Sequence, residues 1–391
     1  MSKSVSVIGT RGYPSYYGGF ETAVRKLAPF LADAGWDVNV YCRAGQTKND
    51  DGGRDPRVRT TTTVGLESKS LSTLSFGLSS VLNAMWHKPQ VALVMNVANG
   101  FFLPLLKLRG VPTVVNVDGI EWERAKWNRF AKFVFRLGAR FTARYGTILI
   151  SDSLEIQRRW KKDFGRDSVF IPYGGSTPSP SEVIPGLEHD SYVLMVARFV
   201  PENTVSEFLQ AAERLAEDHP VVIVGSSGYG GVLEDAAQRL SEHPNVEWLG
   251  HVSDDRKLLS LWQHAGVYFH GHSVGGTNPA LVQAMACGAP VVARHTPYNA
   301  EVLGANDHLV APEPLAIERA LRRMLLEHDL RAKARINNQE RAASYYDWED
   351  VCGRYELTLQ RAVQERATKG AEKSRGKDHE NYAQTTSGSG K

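Results

Sequence analysis

The chain has 391 residues, 42% of them hydrophobic and 23% charged, enough for two domains with separate cores and too apolar for a disordered chain. Its three cysteines, Cys42, Cys287 and Cys352, lie far apart with no CxxC pair; with neither a secretory leader nor an apolar run near the roughly 18 residues of a bilayer span, a reducing cytosol is the expected compartment. The net charge of +3 hides an asymmetry, about 25 basic against about 14 acidic residues up to Tyr173, so the first half is expected to face something anionic.

Short β-branched runs alternate with helical patterns from the start: VSVIG (5–9), VNVYC (38–42), VALVMN (91–96), TVVNVD (113–118), TILIS (147–151) and VFIP (169–172). Continuous apolar strands of this length, separated by helices, indicate a parallel sheet covered on both faces. The pattern stops at residues 174–190, GGSTPSPSEVIPGLEHD, which read as a linker. It restarts with YVLMVAR (192–198), PVVIVG (220–225), VEWLG (246–250), VYFHG (267–271) and PVVAR (290–294). The expected organisation is therefore an α/β chain of two doubly wound, Rossmann-like domains, 1–173 and 191–345, facing a cleft. A helical stretch over 346–368 is expected to pack back across the domains, and 369–391 to be disordered.

Glycine-rich loops after strands mark the cleft. In GHSVGGTNPALVQAMACGAPVVA (271–293), Gly275, Gly276 and Thr277 would let backbone approach an oxyanion, Asn278 can cap the helix that follows, and Pro279 suits its first turn. A helix N-terminus holds anions without any lysine; a plain strand-to-helix turn is the alternative. TRGYPSYYGGFET (10–22) offers a second such loop, with Gly18, Gly19 and Arg11 ahead of a helix. It is not GxGxxG, and Tyr41 and Cys42 stand where a dinucleotide site wants an acidic residue, which weighs against a dehydrogenase.

Asp118 ends a strand at the cleft edge, placed to orient or deprotonate a hydroxyl or else to cap the next helix. Glu121 shares its loop. His270 and His272 flank the glycine loop and could meet phosphate or sugar, the alternative being a structural role as for most lone strand-end histidines; there is no third ligand at zinc-like spacing. From Trp122 to Tyr145, Arg129, Lys132, Arg136, Arg140 and Arg144 fall on one helical stripe, interleaved with Trp127, Phe130, Phe133, Val134, Leu137 and Phe141. A basic face beside an aromatic one suits an anionic membrane surface; the alternative is a helix with core aromatics and solvated arginines. No nucleic-acid reading motif accompanies these charges, and nucleic acid is not an expected partner.

The order GTRGYPSYYGGFET, VDGIEWERAKW, IPYGG, VARFVPEN and HGHSVGGTNPALVQAMACGAPVVA resembles the GT-B glycosyltransferases of family 4, and more narrowly the bacterial subgroup that includes rhamnosyltransferases of surface polysaccharide assembly. The resemblance spans residues 3–365. It implies a GT-B fold, a nucleoside-diphosphate sugar donor held mainly by the C-terminal domain, and an acceptor on the N-terminal side. It further implies a donor-diphosphate role for Arg198, whose usual lysine companion five residues on is here Asn203. The glutamate pair of similar enzymes, eight positions apart, is replaced by Gly275 and Gln283, the latter expected to face the donor ribose. Glu301 lies where similar enzymes carry an acidic residue, and Gly250, His251 and Val252 where such folds read the base through backbone groups. No metal or cofactor is expected, since helix dipoles and arginine neutralise the leaving diphosphate in such enzymes. The implied activity is a retaining transfer, with dTDP-L-rhamnose favoured as donor and a polyprenyl-linked saccharide as acceptor, at the inner face of the plasma membrane. The alternatives are a non-catalytic nucleotide-sugar-binding homologue, motivated by Gln283 and Asn203, and a sugar-nucleotide epimerase.

Overall fold

In the computed structural model the described residues are 3–16, 18–44, 51–66, 72–124, 127–228, 230–304 and 307–387, with side chains as far as Thr368. Seven strands, β1 (Lys3–Ile8), β2 (Trp36–Arg43), β3 (Arg59–Thr63), β4 (Val91–Met95), β5 (Thr113–Asn116), β6 (Ile148–Ser151) and β7 (Val169–Phe170), form a parallel sheet in the order β3-β2-β1-β4-β5-β6-β7. Six more, β8 (Val193–Val196), β9 (Val221–Val224), β10 (Val246–Trp248), β11 (Val267–His270), β12 (Val291–Arg294) and β13 (Leu309–Val310), form a second in the order β10-β9-β8-β11-β12-β13. Every central strand is buried on both faces, as its unbroken apolar run requires. The sequence reading missed β3 and β13: RTTTT carries no apolar residue, and LV is too short to show a period.

The linker is not loose. Its later part lies along the helix Asp255–His264, where the Ser260 hydroxyl donates to the Glu182 carbonyl at 2.7 Å and Gln263 Nε2 to that of Ser179 at 3.0 Å. Ile184 and Leu187 pack against the C-terminal core. The chain returns through the helix Trp348–Ser387, which buries Trp348, Val351, Cys352, Tyr355, Leu359 and Ala362 in the core of the N-terminal domain. That helix runs past 369 to Ser387, where disorder was expected. Low hydrophobicity argues against a core there, but Ala, Glu, Lys, Arg and Gln are good helix formers. No helix among the described residues is long and apolar enough to cross a membrane.

Candidate active site

Beyond the carboxyl ends of parallel strands, a crevice opens where neighbouring strands send the chain to opposite sides. That point lies between β1 and β4 in the first sheet, and between β8 and β11 in the second. The loop after β1 carries Arg11, Gly18 and Gly19, that after β8 carries Arg198, and that after β11 carries His272 to Asn278. The structure brings these loops together. A Cβ on Gly19 would stand 3.3 Å from Pro279 Cγ, and one on Gly119, next to Asp118, would stand 3.1 Å from Gly275 Cα. The N-termini of the helices Gly19–Asp33 and Pro279–Ala286 therefore meet across the domain boundary, and the positive ends of both helix dipoles lie together at the cleft, although Pro279 has no N–H and that of Ala280 is held by Asn278.

Local chemistry shapes each end. Asn278 caps its helix, accepting from the Ala280 N–H at 3.0 Å, and Gly275 holds φ +106°, a conformation that disfavours any side chain. On the facing helix Glu21 is buried and accepts from the Arg11 N–H at 3.0 Å, which sets the course of the β1 loop.

Gly276 and Thr277 also meet the other domain. A Cβ on Gly276 would overlap the Asp152 carboxylate, and the Thr277 hydroxyl donates to the Asp152 carbonyl. What this part of the loop accommodates is the other domain. Asp152, at the end of β6, is 1% exposed, and its Oδ1 has no hydrogen-bond partner. Burial first, then the charge of Asp118 and, more weakly, of Glu301, pushes its carboxyl well above the usual range, and Arg124 offsets this in part.

Arg198 is exposed at the mouth of the cleft. Asn203, where similar enzymes carry lysine, is buried and donates through Nδ2 to the Arg198 carbonyl at 2.8 Å; it shapes the arginine's backbone and does not reach into the cleft. His272 stacks on the buried His270 with centroids 4.4 Å apart. Burial first, then the charges of Arg198 and Arg124, pushes the His272 imidazole down to about 3, so it is neutral at physiological pH. Its Nδ1 is buried without a partner, and so is Nε2 of His270, whose Nδ1 meets the Tyr268 hydroxyl at 3.0 Å.

Asp118 does not cap a helix: it has φ +54°, and the 3-10 turn Glu121–Glu123 is preceded by Ile120. Its N–H donates to Asn116 Oδ1 at 3.0 Å, and Asn116 in turn donates to the Tyr355 hydroxyl at 2.7 Å, so the returning helix holds this corner. Glu121 is buried and spent, paired with Arg124 at 2.6 Å and accepting from Trp127 Nε1 at 2.9 Å. Its burial leaves no free carboxylate for an acceptor, and it holds Arg124, whose guanidinium lies 3.2 Å from where a Cβ on Gly119 would stand.

Glu301 is engaged across the domain boundary. It accepts from the Ser153 hydroxyl at 3.0 Å and the Leu154 N–H at 2.9 Å, capping from one domain a helix of the other. Both ends of the Gln283 amide meet Ser176. Gly250 takes φ +61° and accepts from the Gly225 N–H at 2.6 Å, His251 is exposed, and Val252 packs against the domain core. Among the described residues no three His, Cys, Asp or Glu side chains group as a metal site.

The helix Arg129–Tyr145 settles against the 3-10 turn Val97–Phe102 through glycines: a Cβ on Gly138 would stand 2.7 Å from the Val97 carbonyl. Its outer face keeps Arg129, Arg136, Arg140 and Arg144 exposed, with Lys132 partly covered. Phe130 and Phe133 are 74% and 59% exposed, so these two aromatics are not core. Arg124 and Asp152 escaped the sequence reading. The first is signalled only by its spacing of three from Glu121, the second only by a strand end followed by the N-cap Ser153.

Residues 18–174 match the family described as Glycosyl transferase 4-like domain, and residues 182–341 that described as Glycosyl transferases group 1. A phosphatidyl-myo-inositol mannosyltransferase of Mycobacterium leprae is 33% identical over 219 residues, 53% of this chain and 56% of that protein. O-antigen chain mannosyltransferase B of Escherichia coli is 27% identical over 139 residues, 32% and 35% of the two chains. The matches thus span about half or less of these relatives' length. Among solved structures, sucrose-phosphate synthase from Thermosynechococcus elongatus superposes with a TM-score of 0.76 at 17% identity, over 92% of this chain and 98% of the other. Anabaena HepE in complex with UDP-glucose superposes at 0.69 with 18% identity, over 92% and 100%. With two parallel-sheet domains, opposed helix N-termini and both halves matched in order, the chain belongs to the glycosyltransferases of the GT-B fold, family 4.

Proposed function

We propose that this chain transfers a hexose or deoxyhexose from a nucleoside-diphosphate sugar to a lipid-linked saccharide in cell-surface polysaccharide synthesis. The observation that carries the reading is the meeting of two helix N-termini, Gly19 against Pro279, with the charges of Arg198 and Arg124 felt at His272 in the loop that leads into the second helix. This concentrates donors and positive charge where a leaving diphosphate gains negative charge, without a metal. Neutral His272 can exchange a hydrogen bond with a sugar hydroxyl or phosphate there, and Asp118 stands at the N-terminal rim toward an acceptor hydroxyl. The transfer is read as retaining: the leaving phosphate takes the acceptor proton on the face from which it departs, so no side-chain nucleophile is needed. The GTRGYP and VGGTNP motifs favour dTDP-L-rhamnose as donor, whereas the relatives named above are mannosyltransferases, which favours GDP-mannose as the second candidate. The exposed Phe130, Phe133 and arginines of Arg129–Tyr145 support peripheral attachment to an anionic cytoplasmic leaflet, bringing a polyprenyl-linked acceptor to the cleft.

A panel of nucleotide sugars screened by thermal shift identifies the donor, because a ligand that binds only the folded state raises its apparent stability. With that donor, Arg198→Ala removes a charge-assisted contact and should lower kcat/KM by about 2 kcal/mol, roughly thirtyfold. An unchanged kcat/KM would refute the diphosphate role. Slow donor hydrolysis without acceptor supports a transferase, epimer formation an epimerase, and binding without turnover a non-catalytic homologue.

A further inference from the structure

The chain crosses between the domains twice, and the two crossings lie side by side. Gly175 and Asp347 form an isolated parallel bridge, and the Gly175 N–H donates to the Tyr346 carbonyl at 2.7 Å. The crossing is crowded: a Cβ on Gly174 would stand 2.5 Å from the Trp348 indole, and one on Gly175 3.0 Å from the Val282 carbonyl oxygen. Since the linker beyond is held to the C-terminal domain, the freedom of the crossing is confined to the few residues around Gly174 and Gly175.

One residue later the donor-side helix takes hold of this strand. The Ser176 N–H donates to Gln283 Oε1 at 3.1 Å, and Gln283 Nε2 donates to the Ser176 carbonyl at 2.7 Å. The side-chain amide thus pairs with one backbone residue as a neighbouring strand would, using a donor and an acceptor together. A glutamate of nearly the same size can accept from the N–H, but its second oxygen would face the Ser176 carbonyl, acceptor against acceptor. Gln283 lies one turn from Pro279, at whose end the opposed N-termini meet.

We propose that Gln283 is a positioning residue that clasps the interdomain hinge to the ligand-facing helix, so that occupancy of the anion cleft and the angle between the domains are coupled, and that the clasp requires an amide. The coupling to a ligand rests on the donor-phosphate reading above; the clasp itself does not.

The experiment labels an exposed site on each domain, Leu108→Cys and Val232→Cys, both 81% exposed, while the three native cysteines are buried. Single-molecule energy transfer then reads the domain separation, without ligand and with UDP, GDP or dTDP. Gln283→Glu and Gln283→Met should both broaden the distribution without ligand, with circular dichroism unchanged. Ser176→Pro, which removes the N–H from the opposite side, should do the same, and its combination with Gln283→Met should add little, because both break one interaction. With the donor that turns over, kcat should fall about tenfold in both Gln283 variants while KM moves less than threefold. A wild-type distribution in Gln283→Met and Ser176→Pro would overturn the clasp. Tighter donor binding by Gln283→Glu, with the wild-type distribution, would overturn it in favour of a ribose contact. If the wild type binds no nucleotide while the variants still broaden, the clasp stands and the donor reading fails.

Discussion

Asp152 has the most unusual surroundings of any side chain in the cleft: buried, beside Asp118, and with one oxygen lacking a partner. A carboxyl with a pKa of about 3.9 in the unfolded chain binds its proton more tightly in this fold. Between that value and the raised one the native state holds more protons, so stability is lost as pH rises, by at most about 1.4 kcal/mol per pH unit. Asp152→Asn abolishes this titration. Its melting temperature should match the wild type near pH 4 and exceed it increasingly as pH rises toward the raised value; parallel Tm profiles would show the carboxyl to be ordinary. The neutral His272 imidazole sets a contrasting expectation. Its pKa of about 3 places its protonation below the working range, so it should contribute no limb to the pH profile of kcat above pH 5.

Two loops and one helix have roles that extend beyond their own residues. Gly276 lies so close to Asp152 that Gly276→Ala should hold the domains apart and lower kcat/KM at least about tenfold, equivalent to 1.4 kcal/mol. Asp152→Ala in the same chain should recover part of that loss by removing the carboxylate the methyl meets, which steady-state kinetics of the single and double variants would show. The helix Arg129–Tyr145 keeps its small residues inward and its arginines and two phenylalanines outward, the reverse of a helix that only fills a core. Each basic residue near an anionic leaflet contributes about 1 kcal/mol. Changing Arg129, Lys132 and Arg136 to Gln should therefore release the protein from anionic vesicles in a flotation assay at low salt, with its melting temperature unchanged. Wild-type protein that stays in solution in that assay would make the stripe a solvated face.

Across the whole molecule, the domain boundaries in sequence and in space differ. The last helix belongs to the first domain's core, where Leu359 is fully buried beside Tyr355 and Ala362. Leu359→Ala should cost about 2–5 kcal/mol in denaturant unfolding, and the loss should fall on the transition of the N-terminal domain if the two domains unfold separately. The hinge therefore joins a C-terminal domain to an N-terminal domain built from both ends of the chain, which is why the two crossings must run together past Gly174 and Trp348.

Much of this architecture is local and was legible in the residue order. Apolar runs of four to six residues between helices specify a buried parallel sheet, and the glycine loops, Asn278 and Pro279 announce helix starts through backbone sterics and capping that depend on near neighbours alone. The strands RTTTT and LV were illegible for the same reason, since an edge strand takes its partner from elsewhere and carries no pattern of its own. The roles of Gln283, Glu301, Gly276 and Asn203 were beyond reach because each is set by an atom far away in the chain or by the direction of one backbone carbonyl. Whether an amide faces a ribose or Ser176, and whether a glycine admits a phosphate or Asp152, depends on how two separately formed domains close on each other, which no run of neighbouring residues encodes.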